Sequence, residues 1–198
     1  MRISFYMLCF LVLIAKGILA QSWAVTEMAN MPMAISNNAV VEGWQNGVAH
    51  VYSFGGIDSS KVYSGISLNS YRYNTQTDVW DVLPAIPDTL GKIAAGAGNV
   101  NNKIYVIGGY HVRKNGSEVS SNKVHIFDPE SNQFLPDASS IPVPIDDHVQ
   151  AVYRDSLIYV ISGWSNIGNV NDVQIFDPAN NTWQVGTPVP FNGKYMHF

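Results

Sequence analysis

Three stretches of this chain close a strand-like apolar run with a glycine at nearly constant spacing, and that periodicity constrains the fold more than any other feature. They are Val51-Tyr-Ser-Phe-Gly-Gly56, Ile104-Tyr-Val-Ile-Gly-Gly109 and Ile158-Tyr-Val-Ile-Ser-Gly163. Gly56 and Gly109 are 53 residues apart, and Gly109 and Gly163 are 54 apart. Short aromatic and β-branched runs bounded by glycine read as strands. A strand-rich unit repeating at roughly 50 residues stacks or fans identical units and does not build one closed sandwich.

A second repeat keeps phase with the first. Each unit carries an aromatic, a polar turn and another aromatic seven positions on: Tyr73 and Trp80, Phe127 and Phe134, Phe176 and Trp183. The intervening turns are Asn74-Thr-Gln-Thr-Asp78, Asp128-Pro-Glu-Ser-Asn132 and Asp177-Pro-Ala-Asn-Asn181. Asp, Pro and Asn are turn formers, so each segment predicts a hairpin joining a third strand to a fourth. The glycine pairs Gly55-Gly56 and Gly108-Gly109, with Gly163, and the Phe-Asp-Pro-x-x-Asn-x-Phe/Trp turns together resemble the kelch repeat of β-propellers. The match covers about residues 33 to 198. Ser162 stands where the first glycine belongs in the third copy, and Phe134 replaces the usual Trp in the second.

The resemblance implies an all-β kelch-type propeller, incomplete within this stretch. Blades are expected at about 33–84, 85–138 and 139–187, with the start of another at 188–198. Three blades are fewer than the four to eight that close a ring, so the chain is expected to be part of a longer protein whose later blades complete it. Residues 22–32, where Trp23 precedes Met31-Pro32 as Trp183 precedes Val189-Pro190, are expected to supply a ring-closing outer strand.

Residues 1–20 stand outside the repeats. Arg2 gives a positive start, Phe5 to Ala15 is almost wholly apolar, and Ile18-Leu-Ala20 precedes the polar Gln21-Ser22. This pattern predicts a secretory signal peptide cleaved after Ala20, with a membrane anchor as the alternative. The mature chain would be secreted or periplasmic, with no membrane insertion. Cleavage removes Cys9, the only cysteine, so neither disulfides nor thiol chemistry is expected. It also removes Arg2 and Lys16, leaving 9 of the 11 basic residues against 15 acidic ones, a net charge of −6. That balance argues against nucleic acid and anionic membranes as partners.

In a propeller, loops on one face surround the central channel and carry function on a rigid frame. The residues leading into the inner strands are therefore the candidate ligand-binding set: Lys92 in the second unit, Asp146, Asp147 and His148 in the third, and Asn192 to Lys194 beyond it. Carboxylates beside an imidazole can orient a hydroxyl, hold a cation or exchange protons. The segment Trp164 to Asn171 is expected to be a polar loop, either with Trp164 stacking on a sugar and Asn166 bonding its hydroxyls, or as a hairpin loop whose Trp packs between blades. Tyr110 to Glu118 is expected to be a long charged loop. Asn115-Gly-Ser117 and Asn180-Asn-Thr182 match the glycosylation acceptor pattern. Gly96-Ala-Gly98 lacks the third glycine of a dinucleotide fingerprint, His125 is expected to be a structural strand residue, and no cofactor is expected.

The function expected is a binding module for a glycan or protein ligand. The alternative is a sugar-modifying enzyme, since the third unit and the leader resemble kelch-type N-acetylneuraminate epimerases. In that family the catalytic acidic and basic residues would lie in later blades. Galactose oxidase shares the propeller, but that resemblance implies copper beside a Tyr–Cys cross-link, and the mature stretch holds no cysteine.

Overall fold

The computed structural model describes residues 24–190; the signal peptide expected at 1–20 and most of the blade start expected at 188–198 lie outside that range. Strands are the regular structure of the described residues, apart from one 3-10 turn at Tyr63–Gly65. Strands β1 (Ile35–Ser36) and β4 (Ile57–Asp58) pair as a small ribbon. The first blade is β2 (Ala39–Gln45), β3 (Val48–Phe54), β5 (Ser70–Asn74) and β6 (Val79–Leu83), in sequential antiparallel order. The second is β7 (Ile93–Val100), β8 (Lys103–Val112), β10 (Val124–Asp128) and β11 (Gln133–Leu135), with β9 (Glu118–Ser120) paired to the far end of β8. The third is β12 (Val149–Tyr153), β13 (Leu157–Ser165), β14 (Gly168–Asp177) and β15 (Thr182–Val185). Three four-stranded wedges are what an incomplete kelch β-propeller requires.

The local chemistry sets these elements. Inner and second strands are joined in the first two blades by the tight pairs Asn46-Gly47 and Asn101-Asn102. All four residues have φ between 50° and 75°; a two-residue hairpin matching strand twist needs this left-handed pair, and Asn and Gly tolerate it best. The aromatic pairs read from the sequence face each other directly across the outer hairpins, Tyr73 opposite Trp80, Phe127 opposite Phe134 and Phe176 opposite Trp183. Their ring centroids are 5.2, 5.1 and 4.9 Å apart, the spacing of favourable aromatic contacts.

The core lies between blades, not inside any one of them. Side chains alternate across a strand, so Ile104 and Val106 face the first blade, packing with Tyr52, Phe54 and Phe127. Their neighbours Tyr105 and Ile107 face the third, with Ile158, Val160 and Phe176. Both faces of β8 are buried, which is why Ile104–Ile107 reads as an unbroken apolar run. Inner strands β2, β7 and β12 pack side by side along the axis. Gly96 and Gly98 of β7 clear room for its neighbour, because a Cβ at either would collide with the Gln150 side chain.

Each glycine pair works as a socket for the next blade. Gly56 N–H donates to Lys92 O (2.7 Å) and Gly109 N–H to Ile145 O (2.9 Å). A Cβ on Gly55, whose φ is +66°, would lie 2.6 Å from Lys92 O. The linkers before the blades are equally regular. Trp80 Nε1–H donates to Ala29 O (2.9 Å) and Trp183 Nε1–H to Ser139 O (2.8 Å), while Asp78 and Asn181 accept from the N–H groups of the same two residues. The outer strand expected over residues 22–32 is not formed in residues 24–32. The Ala29 backbone is instead held by the outer edge of the first blade, as a linker.

Candidate functional site

The three blades, superposed on their glycine pairs, act as an internal alignment. Below the glycines the slots repeat: Val51, Ile104 and Ile158; Tyr52, Tyr105 and Tyr159; Tyr73, Phe127 and Phe176. Above them the pairing also repeats, Ser36 with Ile57, Ile93 with Tyr110 and Asp146 with Trp164, but the side chains differ in every blade. A framework that fixes the backbone and frees the side chains is how loops carry function on a rigid scaffold.

These variable residues surround one end of the axis. Asn37, Ala94 and Asp147 each lead into an inner strand with left-handed φ of 54°, 55° and 47°. Ala94 N–H donates to Asn37 O (2.9 Å) and Asp147 N–H to Ala94 O (3.2 Å), so a backbone collar runs from blade to blade. Asn37, Asn38, Ala94, Ala95, Asp147 and His148 line a cavity of about 220 Å³ inside the collar. Beside it, Tyr110, Glu118, Asp146, Asp147 and Trp164 line a second of about 280 Å³. Two aromatic and three acidic residues thus border one opening, Asp146 from a buried position.

The electrostatics follow. Burial raises the Tyr110 phenol pKa, and Asp147, Glu118 and Asp146 raise it further. The phenol therefore stays protonated in a negative field. His148 sits between the second and third blades with Nε2 3.2 Å from Gln150 Oε1, and burial pulls its pKa down to about 4. It is neutral at physiological pH, and its buried Nδ1 has no hydrogen-bond partner. With Nε2–H donating to Gln150, Nδ1 is left as an acceptor. His148 is therefore not an acid–base partner for Asp147; it is a neutral wall.

Two expected site residues are engaged elsewhere. Lys92 occupies the slot that holds Ile145 in the third blade and is 4% exposed. Its ammonium donates to Asp88 Oδ2 (3.0 Å), Ser121 Oγ (2.7 Å) and Gly108 O (3.4 Å). It borders a different cavity of about 380 Å³, with Asp88, Lys123 and His111. His125 completes this cluster, with Nδ1 2.8 Å from Asp137 Oδ1 and Nε2 3.3 Å from Asp88 Oδ2. Burial and the neighbouring Lys92 charge lower its pKa against the pull of both carboxylates. His125 is fully buried, a structural strand residue. Asn166 is the other: its carbonyl accepts Ser120 N–H at 2.9 Å and its amide faces Ser120 O at 3.5 Å, so it pins β9 to the third blade.

The two expected loops are hairpins. β13 and β14 run to Ser165 and from Gly168, and β8 and β9 enclose only residues 113–117. The ladders continue past the glycines because the extra residue is absorbed as a bulge, seen between Ile161 and Gly163. Tyr110 and Glu118 enter the candidate set only in the structure for that reason. The available signal was positional: Tyr110 follows its glycine pair as Trp164 follows Gly163. Among the described residues no group of three or more His, Cys, Asp or Glu side chains is placed to hold a metal ion. Asn192 to Lys194 lie outside the described residues.

Residues 39–194 match the KLHDC2/KLHL20/DRC7 kelch-repeats domain family. The chain belongs to the kelch-repeat family. It is 30% identical to the Kelch-like protein terF of Aspergillus terreus over 166 residues, 80% of this chain and 34% of that protein. It is 28% identical to Beta-scruin of Limulus polyphemus over 166 residues, 79% of this chain and 17% of that protein. The chain thus spans about a third or less of these kelch relatives. The solved structure of YjhT superposes with a TM-score of 0.65 at 19% identity, over 84% of this chain and 55% of that one. At that identity the likeness shows the propeller fold alone.

Proposed function

We propose that this kelch propeller is a secreted binding module for a protein ligand, and that the collar end of the axis receives a basic side chain of that ligand. One observation carries the reading: Tyr110, Glu118, Asp146, Asp147 and Trp164 converge on one cavity, at slots where the repeat otherwise imposes no residue type. Aromatic faces and carboxylates together favour an ammonium or guanidinium group, through cation–π attraction and charge-assisted hydrogen bonds. Kelch domains commonly mediate protein interactions, which agrees. The sugar reading relied on Trp164 with Asn166, and the Asn166 amide is bound to Ser120. The leader pattern of residues 1–20 supports export.

The probes are fluorescent peptides of matched length, one carrying arginine and lysine, one carrying glutamate and one neutral. The basic peptide should bind most tightly, and Glu118→Gln with Asp147→Asn should weaken it on the order of tenfold, about 1.4 kcal/mol. Equal binding of all three peptides, or unchanged affinity in the double variant, would refute the basic ligand. Binding to a neutral glycan array but to none of the peptides would restore the carbohydrate reading.

A further inference from the structure

We infer that Asn115 is an N-linked glycan acceptor and that Asn180, the other residue in the same sequence pattern, is not. The inference rests on the proposed export of the chain, because the modification takes place in the secretory pathway on Asn-x-Ser/Thr sites at the surface. The curated relatives come from a fungus, a horseshoe crab, a plant and animals, hosts that carry out this chemistry.

The two sites differ in their hydrogen bonds. Asn115-Gly-Ser117 forms the tip of the β8–β9 hairpin, and every residue from 113 to 118 is exposed. The turn closes without the Asn115 amide nitrogen: Gly116 N–H donates to Arg113 O (2.8 Å) and Arg113 N–H to Ser117 O (2.9 Å). Asn115 Oδ1 accepts both Ser117 N–H (3.1 Å) and Ser117 Oγ–H (2.8 Å). The side chain is thereby anchored by its oxygen, beside the hydroxyl that the pattern demands. A Cβ on Gly116 would meet nothing within 4 Å, so the tip stands clear of the body.

Asn180 is built the other way. Its Nδ2 donates to Asp177 Oδ2 (2.8 Å) and its backbone N–H to Asp177 Oδ1 (3.4 Å). Thr182 already stands in the ladder opposite Asp177, and Asn181 holds the Ser139 linker through its side chain and its carbonyl. Presenting the Asn180 nitrogen to an enzyme would require opening the outer hairpin of the third blade.

In the transfer, Asn115 Nδ2 bonds to the anomeric carbon of a polyisoprenyl-pyrophosphate-linked oligosaccharide. The carbon–oxygen bond to pyrophosphate breaks, the pyrophosphate leaves with its electron pair, and one amide proton passes to a base. The product stands at the tip of the hairpin whose strands carry Tyr110 at the base and Glu118 beside the turn, and so at the rim of the proposed binding mouth.

The test expresses the full chain, with residues 1–20, in cultured human cells, alongside a version in which a heterologous secretory leader replaces them. Both are treated with peptide N-glycosidase and followed by gel mobility and by the mass change of Asn115 to aspartate. One mobility step is expected, lost in Asn115→Gln and in Ser117→Ala and retained in Asn180→Gln. A chain exported by the heterologous leader with no step, or with a step that survives Asn115→Gln, overturns the inference. A step that appears with the heterologous leader and not with the native one supports the acceptor and overturns the export reading instead.

Discussion

Replacing Asp88 with asparagine tests whether the buried charge cluster is a structural joint. Lys92 is 4% exposed and Asp88 8%, so D88N leaves a buried ammonium with neutral acceptors only: Ser121 Oγ, Gly108 O and the new amide oxygen at position 88. Its escape is to lose the proton. Doing so at pH 7 from an ordinary lysine pKa near 10.4 spans about 3.4 pH units, or roughly 4.6 kcal/mol, which is a ceiling. Breaking a buried pair by removing one partner costs about 3–5 kcal/mol. K92M should cost less than about 2, because Asp88 keeps His125 at 3.3 Å, Lys123 at 3.8 Å and the Thr89 N–H at 2.7 Å, and the slot holds an isoleucine in the next blade. The double variant removes both charges and should recover about 2 kcal/mol of what D88N loses. Urea unfolding followed by tryptophan fluorescence measures all three. If D88N costs under about 1 kcal/mol, or K92M fails to rescue it, Lys92 is not held as described.

The remaining predictions concern pH and the collar. Burial alone would raise the Asp88 pKa, but the hydrogen bond and charge of Lys92, helped by Thr89 N–H and Lys123, hold it at about 2. Its contribution, about 1–2 kcal/mol after solvent screening, should be present above pH 4 and disappear as pH falls through about 2. D88N should lose that slope. His148, held neutral down to about pH 4, binds its proton first in the unfolded chain, so stability should fall between pH 6.5 and 4. H148Q should flatten that window in urea titrations, and an unchanged slope would assign the loss elsewhere. Ala94 holds a left-handed φ of 55° where the other two blades place Asn37 and Asp147. A94N should stabilise by about 0.5–1 kcal/mol, and a loss of stability would show that the collar position is not strained.

Architecture was legible in the sequence because it is written in repeated, apolar, short-range signals. Gly56, Gly109 and Gly163 mark the sockets, and the aromatic pairs seven residues apart face each other across the outer hairpins. The mouth was legible only in part. Asp146, Asp147 and Trp164, singled out by their place before or after a repeat mark, line one cavity together with Tyr110 and Glu118, which the expected set lacks. Lys92 was misplaced because its linker runs two residues longer than the next: Pro87 precedes Lys92 by five positions, while Pro142 precedes the equivalent Ile145 by three. The strand content of 110–118 and 164–171 was hidden by polar composition, since hydrogen-bonded ladders beyond the glycine bulge need no apolar alternation when both faces meet polar neighbours.

The same repeat logic separates joints from sites where chemistry alone would mislead. Asp88, Lys92 and His125, with the exposed Asp137 at their edge, look like a catalytic cluster: titratable, bonded to one another and largely buried. Yet His125 occupies the third-strand slot that holds Gln174 in the next blade, and Gln174 makes the same reach to its linker, accepting Val143 N–H at 2.8 Å and donating to Val143 O at 3.2 Å. Asp88 and Val143 each follow the linker proline directly. One slot therefore performs one task, fastening the third strand to the preceding linker, with a histidine–carboxylate contact in one blade and an amide clamp in the other. The outer clip behaves alike. Pro84 replaces Ser139 and offers no N–H, and Phe134 replaces Trp183 and offers no indole donor. Asn132 turns instead to Arg72 of the first blade, at 3.0 Å. Losses at one repeat position are met by a paired loss or a new bond at its partner, as a load shared between blades requires. Tyr110 and Trp164 differ in kind: with Ile57 of the first blade they fill one slot with three different side chains over the same backbone pairing, and that variation is what motivates the proposed binding role.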